Sequence, residues 1–90
     1  MRYRFLATPQ FWRSYNKLTE GQQKSAALAW KIFKENPYDP RLRTHRIHSL
    51  SARFGRTIHS VSIEGDLRAV FYQDGEDIVS VDIGTHDIYR

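Results

Sequence analysis

The final residues of this 90-residue chain bring together side chains that could carry out acid–base chemistry. After a strand-like run, residues 78–83, the tail 84–90 reads Gly-Thr-His-Asp-Ile-Tyr-Arg. Imidazole is a good general acid or base near neutral pH, and the carboxylate of Asp87 can orient the ring of His86 and set its tautomer. His86 is therefore a candidate catalytic residue, and an ordinary histidine near the end of a chain is the alternative.

A second stretch, residues 41–59, supplies positive charge and is called the basic belt below. It contains no acidic residue, whereas residues 64–87 contain seven acids and one arginine. The whole chain has a net charge of +4. So dense a basic stretch favours a polyanion such as nucleic acid, and a solvated surface loop is the alternative. The residues expected to bind RNA are Arg41, Arg43, His45, Arg46, Arg53 and Arg56.

Arg68 lies in an apolar run, residues 67–72, where a buried charge without a partner would be very costly. Two kinds of anion would satisfy it. Asp82 or Asp87 could form a structural ion pair with Arg68, or the guanidinium fork could hold a substrate phosphate. The residues alone leave both interpretations open.

Cleavage of RNA without a metal ion needs three chemical roles. A base takes the proton from the ribose 2′-OH, a cation stabilises the extra charge on phosphorus, and an acid protonates the leaving 5′ oxygen. His45 and His48 have a spacing found in metal sites, but no third ligand is evident and their neighbours are cationic, so no metal or cofactor is expected. The candidates for the three roles are His86, His48, Arg68, Arg46 and Tyr89.

The first half of the chain predicts a strand and a helical hairpin. Apolar and polar residues alternate over residues 2–7, which is typical of a half-buried strand. Thr8 followed by Pro9 predicts the start of one helix, and Thr19 with Gln22 forms a capping box that starts the next. The second helix ends before Pro37. Residues expected to face the core are Phe11, Trp12, Tyr15, Leu18, Ala26, Leu28, Trp30, Ile32 and Phe33.

The second half predicts three antiparallel strands, at residues 57–63, 67–72 and 78–83, joined by glycine-containing turns. The middle strand is apolar on both faces apart from Arg68, so we expect it at the centre of the sheet. His59 alternates with Ile58 and Ser60 in a strand and is expected on an exposed face, and a short strand is possible at residues 46–50. The fold class is α+β, with the helices on one sheet face and the other face free for a site.

Length and composition set the remaining bounds. Residues 1–90 are expected to form a single domain. The chain has no cysteine, which fits a reducing compartment, and no run resembles a signal sequence or a membrane span. We therefore expect a cytoplasmic protein that does not enter a membrane.

Three local motifs, in this order, resemble the RelE/ParE superfamily of bacterial type II toxin–antitoxin toxins. His48-Ser49-Leu50 is similar to an H-x-L element that precedes the closing strands in many members. The run from Gly65 to Phe71 is similar to a family strand that carries a conserved arginine. The run from Asp82 to Tyr89 is similar to the closing D-I-G-T-H-D-x-Y of the branch nearest YafQ and RelE.

This resemblance implies a ribosome-dependent endoribonuclease that cuts mRNA, inhibits translation and is neutralised by a cognate antitoxin. It implies that His86 and His48 are catalytic, that Arg68 faces the phosphate, and that Tyr89 corresponds to a C-terminal catalytic tyrosine. The toxin is expected as a monomer or in complex with its antitoxin, an acidic or amphipathic segment covering the basic face. Two features depart from the family: the basic belt holds no lysine, and Leu67 stands where relatives carry tryptophan.

Two other functions fit the same resemblance. A ParE-like inhibitor of DNA gyrase would share the fold, because fold alone does not choose a function. A steric inhibitor has no need of acid–base groups, so the clustered histidines favour the nuclease. A non-catalytic module that binds RNA or an antitoxin is the third possibility.

Overall fold

A computed structural model describes residues 2–89, apart from the side chains of His86 and Asp87. The chain forms three α-helices and five strands in an α+β fold, as predicted. The helices are α1 (Pro9–Asn16), α2 (Glu20–Phe33) and α3 (His48–Phe54). The strands are β1 (Arg4–Ala7), β2 (His45–Arg46), β3 (His59–Glu64), β4 (Leu67–Asp74) and β5 (Asp77–Gly84). Two short 3-10 turns cover Pro40–Leu42 and His86–Tyr89.

The strands form one mixed sheet in the order β1-β5-β4-β3-β2. The pairs β2–β3, β3–β4 and β4–β5 are antiparallel, whereas β1 runs parallel to β5. Arg4 and Asp77 lie opposite each other in that parallel pair, and their side chains form two hydrogen bonds of 2.7 and 2.9 Å. The prediction that the strand containing Arg68 is central is confirmed, because β4 has two strands on each side.

The two predicted helix starts are confirmed by their capping contacts. The hydroxyl of Thr8 accepts a hydrogen bond from the Phe11 amide at 3.1 Å and donates one to the Val81 carbonyl at 2.9 Å. Thr19 and Gln22 form the complete capping box, with bonds of 2.9 and 3.1 Å. These side chains satisfy amides that the first helical turn leaves without partners. The Thr8 bond to β5 also fixes where α1 begins on the sheet.

Side chains of β4 alternate between two faces of the sheet. Leu67, Ala69 and Phe71 pack among residues of α1 and α2 on one face, which we call the α1/α2 face. Val70 packs on the opposite face, and we call this the α3 face because Leu50 of α3 covers it. The α1/α2 face carries the larger share of the core, formed by Phe33, Leu42, Val61, Phe71, Ile78, Ala26, Leu67 and Ile83.

Helix α3 was not predicted, and the strand expected at residues 46–50 is wrong beyond Arg46. Residues 47, 50, 51 and 54 recur at helical spacing, and Leu50 and Ser51 are buried. Gly55 ends the helix in the left-handed conformation, with φ of 68°. The abundance of arginine and histidine in the basic belt obscured this pattern. The two predicted helices share one face, as expected, and α3 lies on the other.

The two helices of the hairpin leave a groove on the α1/α2 face. α1 packs against β5 while α2 packs against β3, and a cavity of about 560 Å³ opens among these elements. Its lining is mostly apolar and includes Leu6, Trp12 and Trp30, which are 45%, 52% and 44% exposed. The prediction that both tryptophans are core residues is therefore wrong, and Leu28, 64% exposed, also lies outside the core. Within the described chain, no helix has the length and apolar character needed to cross a membrane.

Candidate functional site

The turn His86–Tyr89 is held against the sheet by contacts on both sides. The Tyr89 hydroxyl hydrogen-bonds the hydroxyl of Ser60, which is fully buried on β3. Ile88 and Tyr89 pack against the cluster on the α3 face that contains Val70. Ile88 also lies over Gly84, where an added Cβ would be only 2.7 Å from its Cγ2. The turn thus has a fixed place at the end of β5.

His86 and Asp87 belong to this turn, but their side chains lie outside the described residues. Their predicted catalytic interplay therefore stays a prediction. The structure does describe the backbone of this turn. The Ile88 amide donates a hydrogen bond to the Thr85 carbonyl at 3.0 Å, and this bond closes the turn.

Arg68 lies beside the start of that turn, because it pairs with Gly84 across β4 and β5. Its Nη1 donates to the carbonyl oxygens of Gly65 at 2.7 Å and Leu67 at 3.2 Å. The side chain is half-buried, and it makes no salt bridge with a carboxylate among the described residues. Two carbonyls fix the guanidinium without cancelling its charge, so it can still bind an anion.

Asp82 is not the structural partner considered for Arg68. Its carboxylate accepts hydrogen bonds from the Gln10 side chain at 3.1 Å and from the Ile83 amide at 2.9 Å. It lines an open pocket of about 350 Å³ on the α3 face, together with Arg53 and Ile88. The other acid considered as a partner of Arg68 is Asp87, whose side chain lies outside the described residues.

Ser51 organises the part of the basic belt that lies on α3. Its hydroxyl donates to the Ile47 carbonyl at 2.8 Å and accepts from the Ile58 amide at 2.8 Å. The Ile47 amide in turn donates to the Ile58 carbonyl at 2.9 Å. Ser51 is buried, so these bonds close residues 47–58 into a fixed unit. The exposed basic residues that this unit carries are His48, at the first position of α3, Arg53 and Arg56.

The rest of the belt follows the β2 edge of the sheet. Arg43 adopts the left-handed conformation with φ of 51°, and its carbonyl contacts His45 Nδ1 at 2.9 Å. Arg46 is exposed on β2. Arg41 differs, because its guanidinium makes two bonds of 3.0 Å to Asp39, an ion pair that lowers the pKa of that carboxyl. The belt is therefore continuous from the β2 edge onto α3, with the charge of Arg41 locally balanced.

The prediction that His59 lies on an exposed face is wrong. Its ring stacks on Phe71, with centroids 5.5 Å apart, and meets the edge of Tyr38 at 5.5 Å. Its Nδ1 is buried and has no hydrogen-bond partner among the described residues. Burial, and then the charges of Arg46 and His45, lower the pKa of His59. The pleat places His59 on the α1/α2 face, one residue away from Ser60 on the α3 face.

Two residues of the α3 face were missed by reasoning from the sequence. Ser60 anchors Tyr89, and Tyr72 lies under the guanidinium of Arg56. In β3, Ser60 and Ser62 alternate with Val61, and in β4, Arg68 and Tyr72 are four residues apart. The two-residue period of a strand was the signal that would have placed Ser60 and Tyr72 on one face. Both lie in strands whose existence was predicted correctly.

Comparison with solved structures identifies this architecture. The chain superposes on YafQ from E. coli strain BL21(DE3) with a TM-score of 0.75 and 11% identity, covering 97% of both chains. The chain has the RelE/YafQ fold. It also superposes on archaeal RelE in the RelE–RelB complex from Pyrococcus horikoshii OT3, with a TM-score of 0.71, 13% identity and coverage of 94% of this chain and 96% of that chain.

A third RelE/YafQ-fold structure, the E. coli DinJ–YafQ complex, matches with a TM-score of 0.65 and 12% identity over 97% of both chains. No protein-family model and no curated protein matches the sequence. The fold implied by the three motifs is thus confirmed. The assignment of catalytic and RNA-binding roles within it stays a prediction.

Replacing Gly84 with alanine should loosen the turn His86–Tyr89. The new methyl group would meet Cγ2 of Ile88, a β-branched side chain with little rotamer freedom. We expect the free energy of unfolding in urea to fall by about 1–3 kcal/mol. Gly21→Ala is the control, since a Cβ there meets nothing within 4 Å. Equal stability of Gly84→Ala and the wild type would contradict the packing described here.

His59 should make stability depend on pH. Its pKa is lowered in the folded protein, so the unfolded chain binds the proton more readily, and unfolding is favoured as the pH falls through the ordinary histidine pKa of about 6.5. His59→Phe keeps a stacked ring and cannot be protonated. Between about pH 7 and about pH 5, the wild type should lose more unfolding free energy in urea titrations than His59→Phe. Parallel pH profiles of the two proteins would show that His59 does not contribute.

Proposed function

We propose that this chain is the toxin of a type II toxin–antitoxin system and cuts mRNA on translating ribosomes in the cytoplasm. The observation that carries the proposal is the position of Arg68. Its guanidinium is fixed by two carbonyls on the α3 face, forms no described ion pair with a carboxylate, and stands next to the turn that carries His86. The shared fold with RelE and YafQ supports the same function.

The proposed reaction is transfer of the phosphorus from the 5′ oxygen to the neighbouring 2′ oxygen of the ribose. One imidazole, that of His86 or His48, takes the proton of the 2′-OH, and this oxygen attacks phosphorus. Arg68 stabilises the added negative charge. The other imidazole, in its protonated form, donates a proton to the 5′ oxygen as the bond from that oxygen to phosphorus breaks. The products are a 2′,3′-cyclic phosphate and a 5′-OH.

Tyr89 contributes to this mechanism by holding the turn in place. Its hydroxyl is engaged with Ser60, and its ring packs in the cluster around Val70. In this proposal Tyr89 is a positioning residue, because the backbone it fixes carries His86. The RNA chain itself is bound by the belt from the β2 edge across α3, which offers Arg43, His45, Arg46, Arg53 and Arg56, with Arg41 at its margin.

The proposed partner is a cognate antitoxin that places an amphipathic segment in the apolar groove of the α1/α2 face. Solved RelE/YafQ-fold structures include complexes with RelB and DinJ. The groove offers three large exposed apolar side chains, Leu6, Trp12 and Trp30. The two helices and the residues directly after them carry exposed Arg13, Lys17, Lys24, Lys31 and Lys34 against Glu20 and Glu35. The segment should therefore be apolar on one side and acidic at its flanks.

Cleavage should depend on the guanidinium of Arg68. In cell-free translation of a defined message, the wild type should create new RNA ends, mapped by primer extension, only while ribosomes translate. Arg68→Lys keeps the charge but loses the fork that fixes it, so we expect cleavage to fall by about 10²–10³-fold. Arg13→Ala, a cation on α1 away from the site, is the control and should cut normally. An intact message with the wild type would reject the nuclease, and a supercoiling assay would then test DNA gyrase inhibition.

The two tryptophans should report on antitoxin binding. They are the only tryptophans of the chain, and both line the groove. Binding of the purified antitoxin should shift their emission to shorter wavelength, and Trp12→Ala should weaken binding by at least about tenfold. Leu28→Ala, which changes an exposed apolar residue outside the groove, should bind normally. A complex that forms with unchanged emission would show that the antitoxin docks elsewhere.

A further inference from the structure

Arg56 and Tyr72 form a cation–π pair on the α3 face. The guanidinium carbon of Arg56 is 4.2 Å from the centroid of the Tyr72 ring. Tyr72 is half-buried on β4, where it packs at the margin of the cluster that contains Ile58 and Val70. The ring is therefore fixed by the sheet beneath it, and the planar cation covers its outward side.

The backbone holds Arg56 in this position. The Arg56 amide donates to the Ser51 carbonyl at 3.2 Å, and the amide of Gly55 donates to the same oxygen. The Ile58 amide is bound by the Ser51 hydroxyl on the other side of Arg56. Because the chain is tied on both sides, little conformational entropy is lost when a ligand meets the side chain.

The outward face of the guanidinium is accessible. Arg56 is exposed, and none of the salt bridges among the described residues involves it. An arginine whose only described side-chain contact is an aromatic ring keeps its charge, and the planar guanidinium of an exposed arginine can stack on a further flat group. Such a face suits a ligand that is flat, polarisable and attached to a negative charge.

We propose that Arg56, supported by Tyr72, binds an unpaired nucleobase of single-stranded RNA in a three-layer stack of tyrosine, guanidinium and base. Unpaired RNA bases stack on aromatic rings and on arginine planes, and the attraction tolerates any base. This inference rests on the proposed function, and it adds a base-binding subsite that contributes affinity and takes no part in the reaction.

The subsite is separate from the cleavage centre. Tyr72 lies four residues beyond Arg68 on β4, or about 13 Å along the strand. Val70 lies between them and is covered by Leu50 of α3. An RNA strand bound at both places must therefore cross α3, whose exposed surface carries Arg53 and His48. A base held at Arg56 belongs to a nucleotide away from the one that is cut.

The test compares a labelled oligoadenylate with an RNA strand of equal length whose central positions lack bases. Fluorescence anisotropy would measure the affinity of the wild type and of two variants for both strands. Arg56→Lys keeps the charge and loses the planar guanidinium, and Tyr72→Leu removes the supporting ring. We expect Arg56→Lys to bind oligoadenylate about tenfold more weakly and the abasic strand as the wild type does. Tyr72→Leu should show a smaller loss of the same selective kind.

The salt dependence of binding should be the same for Arg56→Lys and the wild type, because the number of charges that meet phosphates is unchanged. The proposal is overturned if Arg56→Lys keeps the preference for the base-bearing strand, if it loses affinity for both strands equally, or if the wild type has no preference. Translation-dependent cleavage by the wild type is measured separately. A nuclease without the base preference would therefore refute this inference alone, and a base preference without cleavage would refute the proposed function alone.

Discussion

The structure depends on one central strand whose two faces meet different environments. β4 directs Leu67, Ala69 and Phe71 into the main core, and the period of two then directs Arg68 and Tyr72 to the opposite face. A shift of register by one residue would bury a guanidinium and expose a phenylalanine, at a large cost in free energy. The burial that stabilises the fold therefore also fixes where the cation of the candidate site stands.

The residues proposed to cut RNA and the groove proposed to bind the antitoxin lie on opposite faces of the sheet. The α3 face carries the fixed arginine, the turn after β5 and the part of the basic belt on α3, whereas the α1/α2 face carries the apolar groove. The sheet between them is well packed, so a partner in the groove can occupy one face without contacting residues of the other. To block RNA binding directly, the same partner would need a second segment that passes around a sheet edge. The short β1 and β2 are the two edges available.

Local signals in the sequence were sufficient for most of the elements. The capping residues Thr8 and Thr19, the turns at Gly65 and Gly75 and the alternation within β3 to β5 all act through neighbouring residues, so they can be interpreted without the fold. α3 was missed because its apolar residues are few and its charged residues dominate the composition. The exposure of Trp12 could not be foreseen, because it depends on how α1 and α2 diverge over the sheet.

The residues of the candidate site could be predicted from the sequence, but the contacts that they make could not. His48, Arg68 and the belt arginines stand out by residue type, and the motif order indicated the fold that the comparisons confirm. Arg68 bonds the carbonyls of its neighbours Gly65 and Leu67 and not Asp82. Other partners depend on tertiary contacts: Tyr89 bonds Ser60, and the ring of His59 is stacked on Phe71. No pattern in the local sequence encodes such pairings across strands.

In the proposed reaction, the α3 face directs the ribose 2′-OH against the adjacent phosphate. The most direct test is to place a single 2′-deoxynucleotide at a mapped cleavage position of a message that is otherwise RNA, and to follow cutting during translation. We expect cleavage at that position to disappear while cleavage at other positions continues, and we expect the remaining products to end in a 2′,3′-cyclic phosphate. Undiminished cleavage at the 2′-deoxy position would contradict it, because the nucleophile would then be something other than the 2′-OH.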